Sequence, residues 1–157
     1  MTGVLTQLNV SDGGMPKLPV MFARVTAGGV EGDRQRNLKY HGGPDRAVCL
    51  YSEELYEELR DAGIDIPGPG AVGENFTTRG LDYRRMAKGD RLKVGEAVDG
   101  RGCIVEITDV RVPCRNLKKW DADLPELIVG RSGWVARVIV EGVVRPGDAI
   151  EVLAKPV

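Results

Sequence analysis

The spacing of glycine and proline is the feature of this sequence that most restricts its fold. The 157 residues contain 21 glycines and 9 prolines, which are set between short apolar runs. Glycine and proline interrupt long helices, whereas both are common in the turns that join short strands. This punctuation predicts a mainly β fold, a closed or partly open antiparallel β-barrel with a few short helices.

Seven segments combine β-branched residues with partial alternation of apolar and polar positions, the pattern of a half-buried strand. The predicted strands are Val4–Val10, Ala47–Tyr51, Glu74–Thr78, Arg91–Val94, Cys103–Val112, Trp134–Val140 and Ala149–Leu153. One helix is predicted to begin after Ser52, a favourable N-cap, and to end at Gly63, and a shorter helix is predicted near Pro125. The segment from Gly63 to Gly73 is predicted to be a loop that crosses one end of the barrel.

Composition and charge restrict the class of protein. With 42% hydrophobic and 29% charged residues, residues 1–157 are expected to form a single domain. The net charge of −1 argues against a protein that coats nucleic acid. The first residues do not resemble a secretory signal, and no run approaches the roughly 20 apolar residues that span a membrane. We therefore expect a cytoplasmic monomer or homodimer that acts on a small molecule, with no nucleic-acid or membrane partner.

The sequence contains three cysteines, Cys49, Cys103 and Cys114. Their odd number and the absence of a Cys-x-x-Cys pair argue against a disulfide framework and against a structural zinc site. Cys49 and Cys103 lie within apolar strand patterns and are predicted to be core residues. Cys114 lies close to Arg111 and Arg115, whose charges favour the reactive thiolate. A buried and inert cysteine is the alternative interpretation of Cys114.

Four glycine-flanked polar stretches lie between the predicted strands, where a barrel positions its functional loops. They are Gly32–Gln35, His41–Val48, Gly73–Thr78 and Arg111–Leu117. In this order and with these intervals, they resemble the signature segments of the MOSC family, which is named for the C-terminal domain of molybdenum cofactor sulfurase. The resemblance extends from about Gly3 to Leu153 and depends on the ordered set, because each stretch alone occurs by chance in many chains.

The resemblance implies a mostly antiparallel barrel with a pocket at one end. It also implies that Cys114 carries out sulfur transfer or carbon–sulfur chemistry, or ligates molybdenum held by the molybdenum cofactor, molybdopterin. The chain would then be an enzyme or enzyme component, and a desulfurase or an electron-transfer partner would supply sulfur or electrons. A non-catalytic module that binds an anionic pterin or a nucleotide-like ligand is the alternative.

Two further candidates lie in the second polar stretch. His41 is the single histidine of the chain and is suited to proton exchange, although a histidine that only braces its loop is the alternative. Gly43 allows a close backbone approach to a ligand or an unusual φ angle. Arg46 is predicted to bind the cofactor, unless it pairs with Asp45 and braces the loop.

The remaining candidates lie in the third and fourth stretches. Asn75 offers donors and acceptors that suit the edge of a pterin ring, but a turn closed by side-chain to backbone hydrogen bonds is an equally good interpretation. Arg111 and Arg115 are predicted to bind the anionic cofactor, because guanidinium groups match phosphate oxygens. We expect His41 and Cys114 to face one cleft, together with at least one of the residues Asn75, Arg111 or Arg46.

Overall fold

The computed structural model describes residues 1–34 and 43–153, and this part of the chain is mainly β. Its strands are β1 (Thr2–Val10), β2 (Leu18–Val20), β3 (Ala23–Thr26), β4 (Gly29–Val30), β5 (Val48–Ser52), β6 (Phe76–Arg79), β7 (Arg91–Val98), β8 (Arg101–Val110), β9 (Trp134–Val140), β10 (Gly142–Val144) and β11 (Ala149–Leu153). The two α-helices within the same residues are α1 (Glu53–Asp61) and α2 (Leu124–Leu127). Short 3₁₀ helices lie at Pro44–Arg46, Tyr83–Arg85 and Arg115–Lys119.

Seven of these strands close into a barrel in the order β8, β7, β11, β1, β6, β5 and β9, with β9 pairing back to β8. Each neighbouring pair in this ring is antiparallel except β5 and β6, which are parallel and are joined by α1 and by residues 62–75. We call residues 62–75 the crossover loop. The short strands β2, β3, β4 and β10 extend the sheet outside the ring. The predicted antiparallel barrel is therefore confirmed, with one parallel pair.

Apolar rows fill the interior of the barrel. Residues directly opposite one another on paired strands point to the same face of a sheet. Leu8, Phe76 and Leu50 form such a row across β1, β6 and β5, and all three are fully buried. Leu92 and Val105 are a buried pair on the far side of the ring. Burial of each such side chain stabilises the fold by about 1.5–3 kcal/mol relative to an exposed one.

The outer surface of the same strands is also buried. Because side chains alternate along a strand, the residues next to the interior row point outward. We call the outward positions on β1, β5 and β6, together with Asn75 just before β6, the covered face. It consists of Gln7, Asn9, Cys49, Tyr51, Asn75 and Thr77. The segment 11–17, helix α1 and the crossover loop lie over it, and four of its members, Asn9, Tyr51, Asn75 and Thr77, are fully buried.

Helix α1 forms where the sequence predicts it and supplies part of this cover. Ser52 is its N-cap, and the Ser52 hydroxyl accepts a hydrogen bond from the Leu55 N–H at 3.1 Å. Leu55, Tyr56 and Leu59 lie on the buried side of the helix. Gly63, whose φ of +88° is unfavourable for other residues, follows its C-cap. The amphipathic helix therefore packs its apolar side against the barrel wall.

Candidate functional site

A buried ion pair fastens the segment 11–17 to the covered face. Both oxygens of Asp33 accept hydrogen bonds from Lys17 Nζ, at 2.6 and 2.7 Å. The Asp33 carboxylate also accepts from the Ser11 N–H at 2.9 Å and from Asn75 Nδ2 at 2.9 Å. The side chains of Lys17 and Asp33 are only 8% and 3% exposed. Such a fully bonded pair defines one geometry, because either charge alone would be costly to bury.

Asn75 links three strands at the edge of this site. Its Oδ1 accepts from the Cys49 N–H at 3.0 Å, and its backbone N–H donates to the Cys49 carbonyl at 2.9 Å. Its Nδ2 donates to the Asn9 carbonyl at 3.3 Å as well as to Asp33. Both side-chain donors are therefore used, and the interpretation of Asn75 as a residue that closes a turn describes this geometry. In this arrangement Asn75 braces the wall of the site.

Glu74 is a fully buried carboxyl that holds the cover in place. Its Oε1 accepts from the Tyr56 hydroxyl at 2.7 Å, and its Oε2 accepts from the Gly70 N–H at 3.1 Å and from Thr77 Oγ1 at 2.9 Å. Burial raises the pKa of the Glu74 carboxyl, although the hydrogen bonds from Tyr56, Gly70 and Thr77 act in the opposite direction. Glu74 therefore connects α1 and the crossover loop to β6.

Arg111 is a buried cation without an acceptor among the described residues. It follows β8, and its backbone N–H donates to the Gly133 carbonyl at 3.0 Å while its carbonyl accepts from Ser132 Oγ. The residue is only 6% exposed. A Cβ on Gly73 would lie 3.3 Å from Arg111 Nη2, so the glycine leaves room beside the guanidinium. Within residues 1–34 and 43–153, the guanidinium has neither a hydrogen-bond acceptor nor an ion-pair partner, which favours an anionic ligand at this point.

Cys114 is held at the start of the 3₁₀ helix Arg115–Lys119. The residue is half-buried, and its Sγ accepts a hydrogen bond from the Asn116 N–H at 3.5 Å. Leu117 is buried beneath this turn, and Trp120 Nε1 donates to the Ala71 carbonyl of the crossover loop at 2.9 Å. The cysteine segment therefore packs on the same loop that carries Gly73. Arg115 is exposed, so of its two predicted cations only Arg111 is buried in the site.

Of the site residues predicted in the second polar stretch, the structure describes Gly43 and Arg46. Gly43 has a left-handed φ of +80° and precedes the 3₁₀ helix Pro44–Arg46. The Thr108 hydroxyl of β8 donates to the Asp45 carbonyl, which places this turn against the β8 and β9 wall. Arg46 is half-buried there. His41 lies outside the described residues, so its approach to Cys114 stays a prediction.

The two other cysteines occupy different environments. Cys103 is fully buried in the barrel interior, as predicted, and burial raises the pKa of its thiol to about 12. Cys49 instead lies on the covered face and is half-buried. Burial raises the pKa of the Cys49 thiol. The charges of Arg111 and Lys17 lower this pKa, Arg111 more strongly, whereas Glu74 and Asp33 raise it. Cys49 therefore belongs to the charged site, although its apolar neighbours in the sequence suggest a core position.

A groove of about 270 Å³ lies nearby, between α1 and the segment 130–134. Tyr83, Met86 and Trp134 are among the residues that line it. Its two arginines, Arg84 and Arg131, both contact the Glu58 carboxylate, Arg84 through two hydrogen bonds of 3.0 and 2.7 Å and Arg131 at 3.9 Å. The described lining includes none of the site residues predicted from the sequence.

Residues 1–34 and 43–153 contain neither a candidate metal cluster nor a membrane-spanning helix. No group of three or more His, Cys, Asp or Glu side chains in these ranges is arranged to hold a metal ion. Among the same residues, no helix is long and apolar enough to cross a membrane.

Comparison with known proteins identifies the family. Residues 37–151 match the family model of the MOSC domain. The chain is 35% identical over 130 residues to the uncharacterized protein YflK of Bacillus subtilis (strain 168), with 80% of this chain and 56% of that protein aligned. It is 34% identical over 135 residues to the protein YiiM of Escherichia coli (strain K12), with 81% and 57% aligned. The chain thus spans a little over half the length of these curated relatives.

A solved structure supports the same relationship. The crystal structure of YiiM from Geobacillus stearothermophilus superposes with a TM-score of 0.74 at 27% sequence identity, and the match covers 97% of this chain and 75% of that one. The family model covers most of the sequence, including the Cys114 segment, Gly73 and Arg111. On these grounds, the chain belongs to the MOSC domain family.

Proposed function

We propose that the chain binds an anionic cofactor of the molybdopterin type beside the covered face, and that Cys114 supplies the sulfur atom for its chemistry. The observation that supports this most is Arg111, a nearly buried cation without an acceptor in the described part of the chain. Arg111 precedes Cys114 by three residues. Guanidinium groups match phosphate and other oxyanions with two parallel hydrogen bonds.

The residues present fit such a group. Arg111 would hold the anionic part of the cofactor, and Gly73, which has no side chain, leaves space beside the guanidinium. Cys114 would bind the metal, because a thiolate is a soft ligand. When bound, the cofactor would supply a redox-active metal centre. The chain itself orients the sulfur through the Asn116 N–H and anchors its loop through Leu117 and Trp120.

Cys114 can also act without a permanent metal. A half-buried thiol on a loop is suited to carry a sulfur atom as a persulfide, which a desulfurase partner would supply. An electron-transfer partner would be required instead if the metal changes its oxidation state. In a module that only binds an anionic pterin or a nucleotide-like ligand, Cys114 would have no chemical role.

The test is the molybdenum and pterin content of protein purified from a host that makes the cofactor. We expect the wild-type chain to retain both and Cys114→Ser to lose molybdenum. Arg111→Gln should lose both by about tenfold or more, the effect expected of one charge-assisted hydrogen bond. Arg145→Gln, a change of an exposed arginine elsewhere on the surface, is the matched control and should behave as wild type.

Other results would redirect the proposal. Wild-type protein without molybdenum or pterin, but with a persulfide on Cys114 after incubation with a desulfurase, would replace the metal role by sulfur transfer. Equal pterin and metal retention by wild type and Cys114→Ser would leave only a binding module. His41→Ala should lose metal as Cys114→Ser does, and the double variant should be hardly worse, because residues that act as a unit are not additive.

A further inference from the structure

Cys49 lies on the outer side of the barrel wall rather than in its interior. Its strand neighbours Val48 and Leu50 are fully buried, and Leu50 belongs to the interior row, so the alternation of side chains turns Cys49 toward the covered face. Asn75 fixes its position from both sides, through hydrogen bonds to the Cys49 N–H and carbonyl of 3.0 and 2.9 Å. The backbone of Cys49 is thus fixed on the wall.

Arg111 reaches the same place from the neighbouring strands. Val135 lies opposite Cys49 on β9, and Gly133, two residues earlier, bonds to the Arg111 backbone. The Arg111 guanidinium lies beside Gly73, two residues before Asn75 in the chain. Its charge is the largest electrostatic influence on the Cys49 thiol. An almost fully buried cation that lacks an acceptor among the described residues therefore adjoins this cysteine.

We propose that Cys49 is a second thiol of the site, and that Arg111 directs anionic electrophiles to it. The proposal deepens the proposed function, since it rests on an anion binding at Arg111, but it requires neither molybdenum nor Cys114. The ligand class is a small carboxylate or another oxyanion that carries its reactive carbon next to the anionic group. Cys103, which is enclosed in the barrel interior, serves as the buried thiol for comparison.

Iodoacetate is a suitable probe because it combines a carboxylate with an alkylating carbon. The Cys49 thiol loses its proton to solvent, its sulfur forms a bond to the methylene carbon, and iodide leaves with the electron pair of the carbon–iodine bond. Iodoacetamide reacts by the same step but has no charge. The ratio of the two rate constants therefore measures attraction of the anion, and a change in thiolate fraction cancels because both reagents use the same sulfur.

The experiment measures alkylation of Cys49 by each reagent in the folded full-length chain, with glutathione in the same solution as the reference thiol. Peptide mass spectrometry reports Cys49, Cys103 and Cys114 separately. We expect the iodoacetate to iodoacetamide ratio at Cys49 to exceed that of glutathione by about tenfold or more. Cys103 should stay unmodified by both reagents. Inorganic phosphate should slow the reaction with iodoacetate more than sodium chloride does at equal ionic strength.

Variants assign the effect to one residue. Arg111→Gln should lower the ratio at Cys49 to that of glutathione, and Arg145→Gln should leave it unchanged. The phosphate competition uses only wild-type protein, so it decides the question even if Arg111→Gln does not fold. The proposal is overturned by a ratio at Cys49 equal to that of glutathione, by protection that is equal in phosphate and chloride, or by Cys49 that resists both reagents while Cys114 reacts.

The outcome is independent of the cofactor result. If the wild-type chain contains no molybdenum but Cys49 shows the raised ratio, the proposed cofactor fails and the anion site stands. If molybdenum is bound through Cys114 and the ratio at Cys49 is ordinary, only the second thiol is rejected.

Discussion

Arg111 lowers the pKa of the Cys49 thiol and Glu74 raises it, yet these two side chains do not bond to one another. The oxygens of Glu74 already accept from three donors of the chain, whereas the Arg111 guanidinium has no acceptor in the described ranges. An entering anion therefore gains a cation without displacing an existing ion pair. This asymmetry between two buried groups favours an anion over a cation as the ligand that we propose for the site.

Tyr51 provides a prediction at the scale of one atom. Its hydroxyl is fully buried and has no hydrogen-bond partner among residues 1–34 and 43–153. On folding, the Tyr51 hydroxyl loses its hydrogen bonds to water and forms none with the described residues. For Tyr51→Phe we therefore expect an unchanged free energy of unfolding or an increase of up to about 1 kcal/mol. The measurement is urea denaturation followed by circular dichroism.

Tyr83→Phe is the matched control for that change. The Tyr83 hydroxyl lies 2.8 Å from Thr78 Oγ1, and its loss leaves a buried hydroxyl without a partner. A loss of about 1–2 kcal/mol is expected. If Tyr51→Phe destabilises as much as Tyr83→Phe, the Tyr51 hydroxyl has a partner in solution, such as an internal water.

At the scale of elements, the ion pair between Lys17 and Asp33 joins the segment 11–17 to the turn after β4, and Asp33 also accepts a hydrogen bond from Asn75, just before β6. Lys17→Met would leave the Asp33 carboxylate buried without its counter-charge, and we expect a loss of about 3–5 kcal/mol in the free energy of unfolding. The double variant Lys17→Met with Asp33→Asn should lose less than Lys17→Met alone, because no unpaired charge is left. Urea denaturation of both variants provides the measurement.

The pair between Arg34 and Asp12 is the surface control. These side chains are 78% and 90% exposed and lie 3.7 Å apart, so Arg34→Met should cost less than about 1 kcal/mol. A loss in Lys17→Met no larger than that in Arg34→Met would show that the segment 11–17 contributes little to the stability of the fold.

The sequence pattern predicts the strands of the closed ring but not the short strands outside it. Each of the seven predicted strands corresponds to one strand of the closed ring, and the helix after Ser52 is present. The strands β2, β3, β4 and β10 were not predicted, because strands of two to four residues are too short to show alternation. The pocket at one end of the barrel stays a prediction. The grouping of charged residues on the covered face is not predicted, since no local pattern reveals which face a loop will cover.

The site was predicted in part. Cys114 and Arg111 were singled out because a cysteine near arginines has a recognisable local chemistry. The apolar neighbours Val48 and Leu50 predict a core position for Cys49, but side chains alternate along β5, so Cys49 lies on the opposite face from these two residues. The roles of Lys17 and Asp33 depend on contacts between distant segments, which a single sequence does not display.

For the whole molecule, Glu74 predicts how stability varies with pH. Burial raises its folded pKa above the ordinary value of 4.5, so the folded chain holds a proton that the unfolded chain releases more readily. Its stabilising contribution is complete below about pH 4.5 and is lost as the pH rises through the raised pKa. Glu74→Gln cannot release this proton, so its stability relative to wild type should rise across that window, by at most about 1.4 kcal/mol per pH unit.

Urea denaturation of both proteins at a series of pH values between 4 and about 8 gives the difference directly. Glu151→Gln, a change of an exposed carboxyl that lies 3.4 Å from Lys93 Nζ, is the surface control. A flat difference for Glu74→Gln would mean that Glu74 has an ordinary pKa in the folded chain.

The single parallel pair of the ring has a topological consequence. Strand direction must return to its starting value after one circuit, so a ring with an odd number of strands cannot be antiparallel throughout. Antiparallel neighbours can be joined by a tight hairpin, but a parallel pair needs a long connection that passes over the sheet. Here that connection is α1 with the crossover loop, and it brings Tyr56, Gly70, Gly73 and Glu74 over the wall that carries Cys49. An odd number of strands thus requires a parallel pair, and in this chain the connection of that pair covers the wall that carries Cys49.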